Sequence, residues 1–432
     1  MQRKSAGSAK TGYSGAMQSE RPFDVALWGA TGFTGKLVAE RLLVMKQTQG
    51  LTFALAGRNR DKLEAVRTSL GDAAKELPVI VASVDDEASM RAMASQAAVV
   101  CSTAGPYALH GLPVVRAAVH EGADYCDITG EVTFMRRSID EFHELAQQKG
   151  VRAVHGCGFD SIPSDLGVLT VHEHFRRAHD SRLGHAQFFM GESKGGGSGG
   201  TAASMLNLLA EASQNKEVRR LLLDPYGLNP KGARGPDGRD TIGVRKVHEL
   251  GLYAGPFVMG SVNTRVVRRT NALMGYPYGK DFTYSEEMTF GRGPKGFALA
   301  SGVAAGMAAV MAAGSARTGR TLLERVLPAP GEGPSKAQRD SGHFTARILA
   351  EGTSAPGARK QRVLGIVKGT NDPGYGETSK MLSVTCMMLV KTRGQGRAAG
   401  VLTPASALGM DLVTALVDAG MTFSAQDHDG QG

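Results

Sequence analysis

From Phe23 to His155 the chain alternates short, continuous apolar runs with amphipathic stretches. The runs Phe23–Trp28, Leu51–Ala56, Pro78–Ser83, Ala97–Ser102, Ala123–Asp127 and Val151–His155 read as strands buried on both faces. Lys36–Met45, Arg60–Leu70 and Ile139–Gln148 carry apolar residues at helical spacing between them. Fully apolar strands separated by helices predict a parallel, doubly wound α/β sheet. Gly29-Ala30-Thr31-Gly32-Phe33-Thr34-Gly35 lies where the first strand turns into the first helix. A glycine-rich turn there brings bare backbone N–H groups and a positive helix end against a phosphate, the Rossmann dinucleotide-binding pattern.

After Gly156 the pattern changes. His185–Met190, Phe257–Thr264 and Phe282–Phe290 read as strands, and His343–Glu351 with Gln361–Lys368 as a strand pair. This second part is therefore an α+β domain with an antiparallel sheet. The glycine run Lys194–Gly200 precedes a helix, Thr201–Ala212, and reads either as an anion nest or as a loop. Leu228–Gly243 is a polar loop. Gly296–Ala316 has no charged residue between Lys295 and Arg317. It is long enough to cross a bilayer, but Ala and Gly dominate it, so it reads as a tightly packed or membrane-leaning helix. Glu377–Lys391 is a further helix with a Met/Leu core face. The expected organisation is a tail over 1–20, a dinucleotide-binding Rossmann domain over 21–157, an α+β substrate domain over 158–370, and C-terminal helices with a tail over 371–432.

A length of 432 residues exceeds what one core supports. The formal charge of +9 favours anionic partners: a dinucleotide, an acidic substrate or an anionic membrane. The basic residues are scattered and aromatics make up 6%, which disfavours nucleic acid. Four cysteines without C-x-x-C spacing argue against a disulfide scaffold or a zinc site, and no metal is expected. Met1–Glu20 is Ser/Gly-rich and basic with no apolar core, so a disordered tail is expected in place of a secretory signal. The expected location is intracellular: cytoplasmic, or peripheral on a membrane, ahead of mitochondrial.

Chemistry is sought at the carboxyl ends of the strands, where open α/β sheets bind their ligands. The second strand ends in Ala56-Gly-Arg58 with no acid for a ribose 2′-OH. Arg58 instead suits a 2′-phosphate, which selects NADP over NAD. After the fourth strand come Ala104, Gly105 and Pro106, expected against the cofactor, and then Tyr107 and His110. After the fifth come Asp127, Thr129 and Glu131; after the sixth, Cys157, Asp160, Ser161 and Asp165. Tyr107 or His110 can deliver a proton, and Asp127 or Asp160 can orient the substrate or the donor. The competing reading packs Tyr107 beneath the turn, uses Asp160 and Ser161 as helix caps, and makes Cys157 a small buried hydrophobe. No G-x-S-x-G elbow is present, which disfavours a Ser/His/Asp hydrolase.

Gly29–Gly35, Ala56–Arg58, Ala104–Tyr107, Tyr125-Cys-Asp-Ile-Thr-Gly-Glu131 and Cys157-Gly-Phe-Asp-Ser-Ile-Pro-Ser-Asp165 together resemble the saccharopine dehydrogenase-like oxidoreductases. Asn263-Thr-Arg265, Tyr284-Ser-Glu286 and Gly400-Val-Leu-Thr-Pro404 extend the resemblance nearly to the C-terminus. Within that family the chain is most similar to the branch of trans-acting enoyl reductases and eukaryotic saccharopine dehydrogenase-like proteins. The resemblance implies an NADP-type domain, a second α+β domain over its carboxyl edge, a homodimer, lipid or polyketide precursors as substrates in some members, and lipid-droplet or membrane association in eukaryotic ones. The function expected from it is NADPH-dependent hydride transfer to an enoyl, carbonyl or imine acceptor, a lipid-like small molecule in one version. Two alternatives remain open. Saccharopine-type amino-acid chemistry would use Arg265, Arg268 and Arg269 on carboxylates, although these arginines also read as a solvated basic face. A nucleotide-bound scaffold at membranes would not turn over at all.

Overall fold

Each apolar run of the N-terminal part becomes a strand: β1 Phe23–Trp28, β2 Phe53–Gly57, β3 Val79–Val81, β4 Ala97–Ser102, β5 Asp124–Asp127 and β6 Arg152–Val154. All pair in parallel, in the order β6-β5-β4-β1-β2-β3. β2, β4 and β5 are buried along their whole length, and β2 and β4 accordingly read as near-continuous apolar runs. In this computed structural model the described residues are 21–195, 199–240, 242–326, 333–353 and 361–428. The tail over 1–20 and the middle of the glycine run, 196–198, lie outside them, and with them the expectations of a disordered tail and of an anion nest.

A second sheet is built from β7 Leu183–Lys194, β8 Arg245–Val247, β9 Leu252–Pro256, β10 Thr283–Phe290, β11 His343–Gly352 and β12 Arg362–Gly369. The chain then returns to the first sheet with β13 Gly400–Leu402, which pairs in parallel with β6, and ends in the second with β14 Thr422–Asp427. The second sheet runs β14-β12-β11-β7-β10-β9-β8 and is antiparallel except for the β7–β10 pair. In β11 buried and half-buried residues alternate strictly, so one face lies in the core. The helix Ile162–His179 covers that face. It approaches closely because two glycines let it: a Cβ on Gly167 would lie 2.6 Å from Ile348 Cδ1, and one on Gly365 2.5 Å from Val171 Cγ2.

Two expectations fail in this half. Phe257–Thr264 is not a strand, because the helix Gly260–Leu273 begins inside it and the strand of that region is β9, upstream. The β-branched residues there suggested a strand, but Val262 and Val266 are spaced i, i+4, and burial of almost the whole helix settles its conformation. Arg265, Arg268 and Arg269 are likewise not a solvated basic face; all three are buried. Arg265 pairs with Asp240, Arg268 with Asp237, and Arg269 donates to the carbonyls of Leu228 and Val401. Both acids come from the polar loop Leu228–Gly243, which these pairs hold down.

The helix Gly293–Ser315 departs in the other direction. Over Gly293–Gly314 it is long and apolar enough to cross a membrane, yet only 11% of its apolar window is buried. Phe297, Leu299, Val303 and Met311 face solvent, so the helix is not tightly packed.

One buried ion pair locks the C-terminal helix Thr378–Lys391 to the parallel sheet. Arg152 on β6 pairs with Asp124 on β5 and donates to Leu389 O at 2.6 Å and Thr392 Oγ1 at 2.7 Å. Removing one partner of a buried pair strands the other charge, at a cost of about 3–5 kcal/mol. Asp124→Ala is therefore expected to lose that much stability in urea unfolding, and Arg152→Met in the same background to recover part of it. A loss within the ~1 kcal/mol of an exposed pair would show that this contact does not hold the helix.

Candidate active site at the carboxyl edge of the parallel sheet

The glycine turn is shaped by backbone crowding. Gly29 has φ +84°, and a Cβ on it would lie 2.9 Å from Ala104 N; a Cβ on Gly35 would lie 2.2 Å from Gly29 O. Ala30 and Gly35 are buried, Thr31, Phe33 and Thr34 are half-buried, and Gly32 is exposed. Gly32 is the N-cap of the helix Phe33–Gln49, with no side-chain cap and no acid in the first turn. The first N–H groups and the positive helix end are thus left for an anion. The Phe33 ring meets Tyr375 edge-on at 4.7 Å and the Arg339 guanidinium at 5.5 Å, so two residues far along the sequence flank this turn. Arg58, at the end of β2, is exposed and makes no ion pair or hydrogen bond among the described residues. An uncapped helix start beside an uncommitted guanidinium fits a dinucleotide with a 2′-phosphate.

The turn Ala104-Gly105-Pro106 leads into the helix Tyr107–His120, whose cap comes from another loop. Glu131 accepts the N–H groups of Tyr107 (2.9 Å) and Ala108 (2.7 Å), and the Ser204 hydroxyl at 2.6 Å. Tyr107 itself is buried: its ring stacks on Phe134 and its hydroxyl donates to Ser102 O at 3.0 Å. Burial pushes its phenol pKa up. This geometry corresponds to packing beneath the turn. His110 lies one turn further along, half-buried, with no partner among the described residues.

Asp127 is fully buried. It accepts the Tyr125 hydroxyl (2.9 Å), the N–H groups of Thr129 (3.1 Å) and Gly156 (3.2 Å), and meets His155 Nδ1 at 2.7 Å. His155 continues the network to Ser138 at 2.8 Å. Cys157 is also buried, with its thiol on Val154 O and its pKa raised by burial, so it is no ready nucleophile. Asp165 caps the helix Pro404–Asp418 by accepting the Ala405 N–H at 2.8 Å, and takes the Thr270 hydroxyl. Burial raises its pKa to about 7.

Asp160 differs from these. It is partly exposed and has no hydrogen bond or ion pair among the described residues, and burial alone raises its pKa to about 6. A Cβ on Gly130 would lie 3.0 Å from its Oδ2 and 3.4 Å from Met259 Cε, which places this carboxyl in the mouth between the loops after β5 and β6. Gly29 touches Ala104, Glu131 ties Ala104–Tyr107 to Gly130, and Gly130 touches Asp160, so the glycine turn and Asp160 share one continuous edge. Behind it, Ser161 Oγ lies 3.5 Å from Asn263 Oδ1, Asn263 donates to Glu286 at 2.9 Å, and the Tyr284 hydroxyl donates to Glu286 at 2.7 Å. Burial lifts the Glu286 pKa to about 8. Met259, Ser204, Arg339 and Tyr375 gave no signal in the sequence, because only tertiary packing brings them to this edge.

Comparison with known proteins agrees with this geometry. Residues 25–154 match the family model of the saccharopine dehydrogenase NADP binding domain. A trans-acting enoyl reductase of Mycobacterium bovis is 38% identical over 420 residues, covering 94% of this chain and 98% of the relative. The trans-acting enoyl reductase of Mycobacterium ulcerans is 37% identical over 422 residues, with 94% and 98% coverage. A Mycobacterium tuberculosis protein given the same designation provisionally is 41% identical over 414 residues, with 93% and 97% coverage. Among solved structures, saccharopine dehydrogenase (L-Glu forming) from Saccharomyces cerevisiae superposes with a TM-score of 0.54 at 12% identity, over 94% of this chain and 100% of that one, a likeness of fold. The uncapped glycine turn, the parallel sheet behind it and near-full-length relatives at this identity lead to one assignment: the chain belongs to the saccharopine dehydrogenase-like family of NADP-dependent oxidoreductases.

Proposed function

We propose that this protein reduces a carbonyl-conjugated carbon–carbon double bond of a lipid-like acyl substrate, with NADPH as the preferred cofactor and Asp160 as the proton donor. The observation that carries this reading is the uncommitted Asp160 carboxyl, held near pKa 6 on the same edge as the glycine turn. The relatives named as enoyl reductases support the reaction class. When bound, NADPH supplies the hydride for the β-carbon. The chain's own residues do the rest. The glycine turn holds the pyrophosphate, and Arg58 pairs with the 2′-phosphate. Asp160 in its acid form gives its proton to the α-carbon, and Met259 beside it keeps water from the reacting carbons. The saccharopine-type alternative loses its carboxylate-binding arginines, since Arg265, Arg268 and Arg269 are committed to internal partners.

The lipid-like character of the substrate rests on the exposed apolar helix Gly293–Ser315. That helix packs against the helix Gly199–Gln214, whose Ser204 reaches Glu131 at the mouth of the site. Exposed Arg292 and Lys295 at its start suit an anionic lipid surface, onto which Phe297 and Leu299 would insert.

Trp28, the only tryptophan, directly precedes Gly29, so a dinucleotide bound on the turn is expected to quench its fluorescence. In such titrations Arg58→Ala is expected to weaken NADPH by about 10-fold or more, the worth of a charge-assisted pair, and to leave NADH unchanged. With enoyl thioesters as substrates, Asp160→Asn is expected to lower kcat by about 10²–10⁴ while NADPH still quenches Trp28. Because the acid form is required, wild-type kcat/KM should fall as pH rises through about 6, and the variant should lack that limb. A panel of enoyl thioesters, ketones and imines that leaves NADPH untouched would instead favour the scaffold. In flotation assays the protein should rise with anionic phospholipid vesicles, and a Phe297→Ser/Leu299→Ser variant should stay in the soluble fraction; equal flotation of both would remove the lipid surface from the proposal.

A further inference from the structure

Far from the glycine turn, the end of the helix Ile162–His179 meets the last strand of the chain. His174 Nε2 lies 2.8 Å and His179 Nε2 2.7 Å from the same oxygen, Oδ1 of Asp427. The three ligand atoms lie within 4.8 Å of one another, and the side chains are 25%, 17% and 59% exposed. We propose that His174, His179 and Asp427 form a surface site for a divalent transition-metal ion of borderline softness, zinc foremost, which staples β14 to this helix.

The donor set selects the ion. Two imidazoles and one carboxylate with room for water are the ligands that zinc, nickel and copper(II) take, whereas calcium and magnesium require oxygen throughout. Zinc bonds of about 2.0–2.2 Å in tetrahedral geometry set neighbouring donors roughly 3.4 Å apart. The Asp427 oxygen must therefore retreat by about half an ångström, which rotation of an exposed side chain supplies. Without an ion, this oxygen can hold both rings only if each Nε2 carries a proton. With one, each ring carries its proton on Nδ1 and offers the Nε2 lone pair. His179 is the last residue of the helix, before the left-handed Asp180 cap, and the negative end of the helix dipole favours a cation there. Glu173 on the same helix already pairs with Arg176 and Arg177, so those guanidinium charges are matched locally.

The test uses the full chain prepared without a histidine tag and stripped by a chelator. Zn²⁺ is titrated by calorimetry, and Co²⁺ by absorption. The expected result is one saturable equivalent, a Co²⁺ spectrum free of thiolate charge transfer, and affinity at least tenfold weaker in both His174→Ala and Asp427→Asn. NADPH quenching of Trp28 in the same preparations shows that the variants remain folded. Absence of saturable Zn²⁺ binding would overturn the site, as would affinities within twofold of wild type in both variants. A Co²⁺ thiolate band would also overturn it, placing the ion at the buried Cys101–Cys126–Cys386 cluster instead.

Discussion

The carboxyl edge of the parallel sheet depends on one constraint: where the chain turns out of buried strands, its N–H groups have lost water and need acceptors. Leaving one unmade costs about 1–3 kcal/mol. Three acids meet this need. Asp127 takes Thr129 and Gly156, Glu131 takes Tyr107 and Ala108, and Asp165 takes Ala405. Each joins segments distant in sequence, so the edge is cross-braced by carboxylates. Asp160, by contrast, braces no backbone among the described residues.

The same constraint explains how much of the site was legible in the sequence. Strand ends located the acids, because a parallel sheet puts its turns on one edge. They did not distinguish an acid that binds backbone from one that faces substrate, since both readings ask for the same residue at the same place. Tyr107 shows the limit most plainly: its position marks the site, while its hydroxyl points to Ser102 O inside the core.

The first half of the fold was readable because strands buried on both faces are continuous apolar runs, with glycine marking the turn. The second half was harder. Phe257–Thr264 looked like a strand through its β-branched residues, whereas the i, i+4 spacing and burial of Gly260–Leu273 made a helix. Arg265, Arg268 and Arg269 looked solvated because their partners, Asp237 and Asp240, sit in a loop more than twenty residues upstream that composition alone marks as polar surface. β13 is three residues long, too short to carry a periodicity of its own.

That short strand bears on how the protein is made. β13 pairs with β6, although Gly400 follows Val154 by nearly the whole second domain. At ribosomal speeds of about 5–20 residues per second, tens of seconds separate the synthesis of the two. During that time β6 presents unpaired backbone at the margin of an otherwise complete sheet, the kind of template that recruits foreign strands. The nucleotide-binding half is thus synthesised first and sealed last, and the growing chain carries an adhesive margin that molecular chaperones are suited to shield until the C-terminus arrives.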